Sequence, residues 1–131
     1  MRQLAMALEL AAVLLCSGCS RQDARLEAHK KSLESLGATT KVIAEAWLSG
    51  DVSGTYTRTA LEQTFYLVEQ ERARLASTPE MLQDRRGATL SQDAEQLSRL
   101  IASMIGDVDT ANGDAARQRL ASLPIVPQEQ P

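Results

Sequence analysis

The sequence predicts an all-α fold: a small up-down antiparallel bundle of three to four helices with a disordered, proline-rich C-terminal tail. Three observations support this prediction. Apolar residues recur at spacings of three and four over long stretches of the chain. Glycine, proline and good helix-capping residues stand between these stretches. The alternation of β-branched and polar residues that is typical of strands is not seen. A chain of 131 residues is long enough to bury one core.

The first helix is predicted from Arg21 to Ser49. Gly50 provides a stop signal, and Asp51 or Ser53 provides the N-cap of the next helix. Seven residues of the first helix lie on one stripe, which should face the core: Leu26, His29, Leu33, Leu36, Thr40, Ile43 and Trp47.

A second helix is predicted from about Val52 or Thr55 to Ala76. Because the connection is short, the two helices should pack antiparallel, with Trp47 level with Tyr56 and His29 level with Leu75. The predicted inner face of the second helix consists of Tyr56, Ala60, Leu61, Thr64, Phe65, Val68 and Leu75.

The sequence Thr78-Pro79-Glu80 reads as an N-cap, a proline in the first turn and an acidic residue, which together predict a short helix. Arg86-Gly87 should end that helix. A third long helix is predicted to begin near Ser91, with an inner stripe of Leu90, Ala94, Leu97, Ile101, Met104, Val108 and Ala111.

Asn112-Gly113 should break the long helix, and Asp114 should cap a last short helix that Pro124 ends. That last helix carries Ala116, Leu120 and Leu123. Residues 124–131 contain further prolines and no core pattern, so they are predicted to be disordered. A coiled-coil oligomer is the rival architecture, because the apolar stripes are narrow; glycines inside the helices argue against it.

The N-terminal region carries a recognisable targeting pattern. Arg2 is followed by a mostly apolar run to Leu15, and Ser17 and Gly18 then precede Cys19. This pattern resembles the signal peptide of bacterial lipoproteins, in which the cysteine after small residues becomes lipidated. A plain secretory signal or an uncleaved anchor are the alternatives. The resemblance covers about the first 20 residues and does not extend into the following helices.

The lipoprotein resemblance implies that residues 1–18 are a signal peptide that is removed and that Cys19 anchors the mature chain. Together with the helix pattern, it divides the chain into 1–18, a helical domain at 19–123 and the tail at 124–131. It further implies acylation of Cys19, palmitate included, and attachment to the bacterial cell envelope on the periplasm-facing side. Ser20 follows the cysteine instead of Asp, which favours the outer membrane over the inner one.

Composition excludes several function classes. The net charge of −3 and the near absence of aromatic residues among the basic ones argue against nucleic acid as a partner. Cys16 and Cys19 are the only cysteines, so a processed and acylated chain has no thiol chemistry. The segment Asp107 to Gln118 does not match a calcium loop, because its sixth and twelfth positions are not Gly and Glu.

His29 is the single histidine, so it is the residue that most catalytic or cofactor schemes would require. A His–Met haem site, formed by His29 with Met104 or Met81, resembles the axial pair of a four-helix-bundle cytochrome. The preferred interpretation is a packing residue, with no catalytic, metal or cofactor site. Paired carboxylates such as Glu69 and Glu71 are interpreted as solvated helix faces.

Two functions follow as hypotheses. The first is a membrane-anchored envelope lipoprotein, not an enzyme, that acts as a protein-interaction or structural module with an envelope protein as its partner. The second is a helical-bundle carrier of haem or a small apolar ligand. The charged residues Arg72 and Arg74 mark one exposed face on which a partner could bind.

Overall fold

In the computed structural model, the backbone is described for residues 2–124 and the side chains for residues 21–124. Five helices occupy this part of the chain, which contains no strand: α1 (Arg2–Leu48), α2 (Gly54–Ala76), α3 (Pro79–Gln83), α4 (Arg85–Asp109) and α5 (Gly113–Leu120). The predicted all-α fold is therefore confirmed. Cys19 lies within α1, but its side chain is outside the described part, and so are residues 125–131 of the predicted tail.

The α1–α2 hairpin forms where the sequence predicts it. Gly50 adopts a left-handed φ of 78°, which glycine tolerates at no steric cost, and the chain reverses there. Ser53 then caps α2 by accepting a hydrogen bond from the backbone N–H of Tyr56 at 3.2 Å. α1 begins at Arg2 and not at Arg21, so the helix runs without interruption through Cys19.

The start of α4 differs from the prediction. Asp84 caps the helix, because its side chain accepts a hydrogen bond from the backbone N–H of Arg86 at 2.9 Å. α4 therefore begins at Arg85, six residues before Ser91. Gly87 does not end a helix; it lies buried inside α4. A Cβ atom at Gly87 would lie 1.8 Å from the carbonyl oxygen of Met81, so glycine permits the close approach of α3 and α4.

The end of α4 and the start of α5 also need two corrections. α4 ends at Asp109, and Ala111 adopts a φ of 51° and is exposed, so it does not continue the inner stripe. Asn112, not Asp114, caps α5 by accepting from the backbone N–H of Ala115 at 3.1 Å. Asp114 instead forms an exposed ion pair with Arg117 at 2.9 Å.

The buried apolar residues form two clusters. The proximal cluster lies at the end of the bundle near residue 21 and contains Leu26, Leu33, Leu75, Met81, Leu90 and Ala94. The distal cluster lies toward the α1–α2 turn and contains Ala44, Leu61, Val68, Leu97, Ile101, Met104, Val108 and Ala116. The predicted stripes of α1 and α4 supply most of these residues.

One aromatic residue was assigned to the wrong face. Tyr56 was expected to pack against Trp47, but its side chain is 59% exposed. Thr57 takes the inward position and is fully buried, with its hydroxyl donating to the carbonyl oxygen of Ser53 at 2.8 Å. Gly54, and not Tyr56, lies beside the indole of Trp47.

Polar contacts join neighbouring helices along the whole bundle. Asp107 on α4 is buried and accepts from Arg119 on α5 at 2.6 Å. Arg58 on α2 pairs with Asp109 on α4 at 3.2 Å. Because each contact requires one relative position of two helices, the set favours a single register over a shifted packing.

Among the helices of the described region, none is both long enough and apolar enough to cross a membrane.

Candidate functional site

The most buried charged group described in the bundle is Glu71 on α2. Its side chain is 5% exposed, and each carboxylate oxygen has a partner. Oε2 lies 2.8 Å from Nδ1 of His29 on α1, and Oε1 accepts from the guanidinium of Arg74 at 2.7 Å. Burial acts to raise the pKa of Glu71, but the hydrogen bonds and charges of His29 and Arg74 outweigh it, so the pKa lies below its usual range.

The burial of Glu71 corrects its interpretation as part of a solvated face. The sequence did contain a signal. Thr57, Leu61, Thr64, Val68 and Leu75 step by four and three residues, and Glu71 occupies the vacant position of this stripe between Val68 and Leu75. A carboxylate at an inward position indicates a buried partner, because an uncompensated charge there would be costly.

His29 is confirmed as a half-buried residue of the α1 stripe, with its side chain 17% exposed. Its Nδ1 is engaged by Glu71, one helical turn from the Leu75 that was predicted to lie level with it. The two methionines considered as its partners lie in different clusters. Met104 is buried in the distal cluster, so the structure does not bring it together with His29. Met81 is buried in the proximal cluster.

Glu69, a partly exposed carboxylate of α2, contacts a buried hydroxyl of α4. The hydroxyl of Ser98 on α4 donates to Glu69 Oε1, which also accepts from Arg72 at 2.7 Å. These hydrogen bonds lower the pKa of Glu69, that from Ser98 most strongly. The Ser98 hydroxyl therefore donates to a carboxylate and not to the imidazole of His29.

An open groove of about 530 Å³ runs between α1 and α4 at the proximal end. Leu26 and Leu90 supply apolar surface within it, and Pro124 lies at its border. Burial raises the pKa of Asp93, which lines the groove. Seven of its eleven lining residues are charged: Asp23, Glu27, Lys30, Glu34, Arg85, Arg86 and Asp93. Because charged side chains and apolar surface line the groove together, it suits an amphipathic ligand.

The outer face of α2 exposes large apolar side chains. Tyr66 is 63% exposed and Leu67 is 46% exposed, and together with Thr59, Glu62 and Gln63 they line a shallow depression. Tyr56, 59% exposed, lies further along the same helix. We call Tyr56, Tyr66 and Leu67 the α2 outer face. Tyrosine is enriched in protein interfaces because it combines a large apolar ring with a hydrogen-bonding group.

Within residues 21–124, whose side chains are described, no group of three or more histidine, cysteine or acidic side chains is placed to hold a metal ion. The three acidic residues between Asp107 and Gln118 form ion pairs: Asp107 with Arg119, Asp109 with Arg58 and Asp114 with Arg117. Cys19, the predicted lipid-attachment residue, lies outside the described side chains.

The chain matches no family model, and neither a curated protein nor a solved structure is significantly similar to it. The function of the chain is therefore inferred from its own residues.

Proposed function

We propose that the chain is a lipid-anchored, non-enzymatic module of the bacterial cell envelope, attached through Cys19 and binding a protein partner through the α2 outer face. The exposure of Tyr56, Tyr66 and Leu67 on one helix is the observation that carries the binding part of this proposal. Apolar residues of this size are usually buried, and their concentration on one surface is typical of interfaces.

The anchoring part of the proposal rests on the sequence Leu14-Leu15-Cys16-Ser17-Gly18-Cys19. Acyl chains on Cys19 would attach the domain to the periplasm-facing surface of a membrane, with the outer membrane preferred because Ser20 follows the cysteine. One acyl chain binds a bilayer only marginally, so stable attachment requires more than one.

The alternative, a carrier of haem or a small apolar ligand, has less support. Met104, the sulfur partner that a His–Met pair would need, is buried in the distal cluster, and the groove between α1 and α4 combines charged side chains with apolar surface. A purified, folded protein with a haem absorption spectrum would nevertheless replace the interaction hypothesis with this one.

Cys19→Ser tests the anchor, with Cys16→Ser as its matched control. Cys19→Ser should abolish the incorporation of labelled palmitate and remove the mature protein from the membrane fraction, whereas Cys16→Ser should change neither. Palmitate incorporation into Cys19→Ser, or identical fractionation of the two variants, would contradict lipidation at Cys19.

A photo-crosslinking residue at position 66 tests the interface in intact cells. Val42, which is 65% exposed on α1, provides the matched control position. A discrete crosslinked product is expected from position 66 and not from position 42, and Leu67→Glu should remove it without unfolding the protein. Equal crosslinking from both positions, or a product that is insensitive to Leu67→Glu, would exclude the α2 outer face as a specific interface.

A further inference from the structure

The corner formed by α3 and the start of α4 contacts α1 at Gln22 and Asp23. The side-chain amide of Gln22 donates to the carbonyl oxygen of Glu80 at 3.5 Å. The guanidinium of Arg86 bonds to Asp23 at 2.7 Å and to Asp84 at 2.9 Å. These contacts place the corner level with residues 22 and 23 of α1.

This position is close to the proposed lipid anchor. α1 continues as a helix through Cys19, and Asp23 is the fourth residue after it. At a rise of 1.5 Å per residue, these four steps span about 6 Å along the helix axis. If Cys19 carries acyl chains, as the proposed function states, the α3–α4 corner lies at the level of the lipid headgroups, with no flexible linker to hold it away.

The side chains at this end suit such a surface. Leu82 on α3 is 38% exposed, although its neighbour Met81 is buried in the proximal cluster. Arg21, Arg25 and Arg85, in the segments that meet at this end of the bundle, are also exposed. Residues 21–31 and 80–86 together contain six basic and four acidic residues, in a chain whose overall charge is −3. These two segments therefore carry a local net charge of +2, opposite in sign to that of the whole chain.

We propose that this proximal surface, consisting of Arg21, Arg25, Leu82 and Arg85, contacts the bilayer and binds anionic phospholipid headgroups. Leu82 would insert at the interface, as apolar residues of peripheral proteins do, while the arginines meet the phosphates. The lipid anchor would then hold the bundle in one orientation, with the distal cluster and the α1–α2 turn directed away from the membrane.

The processed full-length lipoprotein tests this proposal in vesicles. Acylation occupies Cys19 and processing removes Cys16, so Leu82→Cys introduces a single thiol for an environment-sensitive dye. Ser49→Cys, an exposed position at the opposite end of α1, is the matched control. In vesicles of phosphatidylcholine and phosphatidylglycerol, lipids with a quencher near the headgroup should quench the dye at position 82 several-fold more strongly than the dye at position 49.

The charge contribution is tested with the variant Arg21→Glu/Arg25→Glu/Arg85→Glu, which keeps the anchor. It should reduce quenching at position 82 at least two-fold in vesicles that contain phosphatidylglycerol, while the protein stays in the vesicle fraction. In vesicles of pure phosphatidylcholine, the dye at position 82 should be quenched to a similar extent with and without the three charge reversals.

Two failures are distinguishable. Equal and weak quenching at positions 82 and 49, in protein whose acylated N-terminus is verified by mass spectrometry, would overturn the membrane-facing surface and leave the anchor intact. A mass without acyl chains would overturn the anchor and the membrane-facing surface with it. Quenching that is indifferent to the three charge reversals would overturn the preference for anionic headgroups.

Discussion

Nδ1 of His29 and Oε2 of Glu71 lie 2.8 Å apart and connect α1 to α2 across 42 residues of sequence. Glu71 is almost completely buried, so His29 and Arg74 compensate for a charge that water cannot reach. The pair thereby fixes the register of the hairpin and links its stability to the protonation of a carboxylate.

Stability should fall in acid because of Glu71. Its pKa is depressed in the folded state, so its contribution is fully present above the ordinary glutamate pKa of about 4.3 and is lost as the pH falls through the lower, folded value. Urea unfolding between about pH 6 and pH 3 measures this slope. Glu71→Gln should flatten the slope at its acidic end, and an unchanged slope would show that other carboxylates account for it.

His29→Leu should lower the free energy of unfolding by about 1–3 kcal/mol, because it leaves a buried carboxylate oxygen without its partner. His29→Gln should cost less, since the amide can still donate to Glu71. It should also preserve any cellular phenotype that a deletion strain reveals. Equal destabilisation by Leu and Gln would show that His29 contributes packing alone, whereas loss of the phenotype in folded His29→Gln would revive the cofactor alternative.

Gly87→Ala and Gly106→Ala should have opposite effects within the same helix. The Cβ atom of an alanine at 87 would overlap the carbonyl of Met81, so α3 must shift and the melting temperature should fall, at a cost of about 1–3 kcal/mol or more. No heavy atom lies within 4 Å of the position of a Cβ at Gly106, so alanine there should stabilise α4 by up to about 1 kcal/mol. Stabilisation by both substitutions would contradict the close approach at Gly87.

Arg119→Ala should destabilise the docking of α5, because Asp107 is buried and would lose its partner; the expected cost is about 1–3 kcal/mol. Arg117→Ala is the matched control. Its partner Asp114 is 93% exposed, so the loss should stay within about 0.5 kcal/mol. The amide hydrogens of α5 should exchange faster in Arg119→Ala than in Arg117→Ala. Equal exchange rates in the two variants would show that Asp107 does not hold α5 in place.

The sequence predicted the helices because their apolar stripes repeat over many turns, so single exceptions such as Thr40 do not hide the pattern. It placed the start of α4 incorrectly because Asp84 and Ser91 are both good caps and Gly87 resembles a stop signal. Only the contact with Met81, which is a tertiary feature, explains a buried glycine at that position.

The candidate sites were less predictable from sequence. A lone carboxylate within an apolar stripe has no visible partner until the helices are paired, so the sequence pattern alone predicts a solvated face for Glu71 and does not reveal the ion pair of Asp107 with Arg119. The aromatic ring of Tyr56 predicts a core position, yet the side chain of Thr57 faces the core and that of Tyr56 faces outward. The α2 outer face could not be distinguished from a core face by composition alone.

The continuous backbone of α1 also limits where a partner can be. With acylated Cys19 at the membrane, the positions along α2 from Tyr66 to Tyr56 would stand about 20–40 Å above the bilayer, since the bundle has no hinge below it. A partner anchored in the same membrane and of similar height would meet this face by lateral diffusion, in two dimensions, at a high effective concentration. Even a weak contact could then be well occupied, whereas a partner on the opposite membrane would need a long extension to reach it.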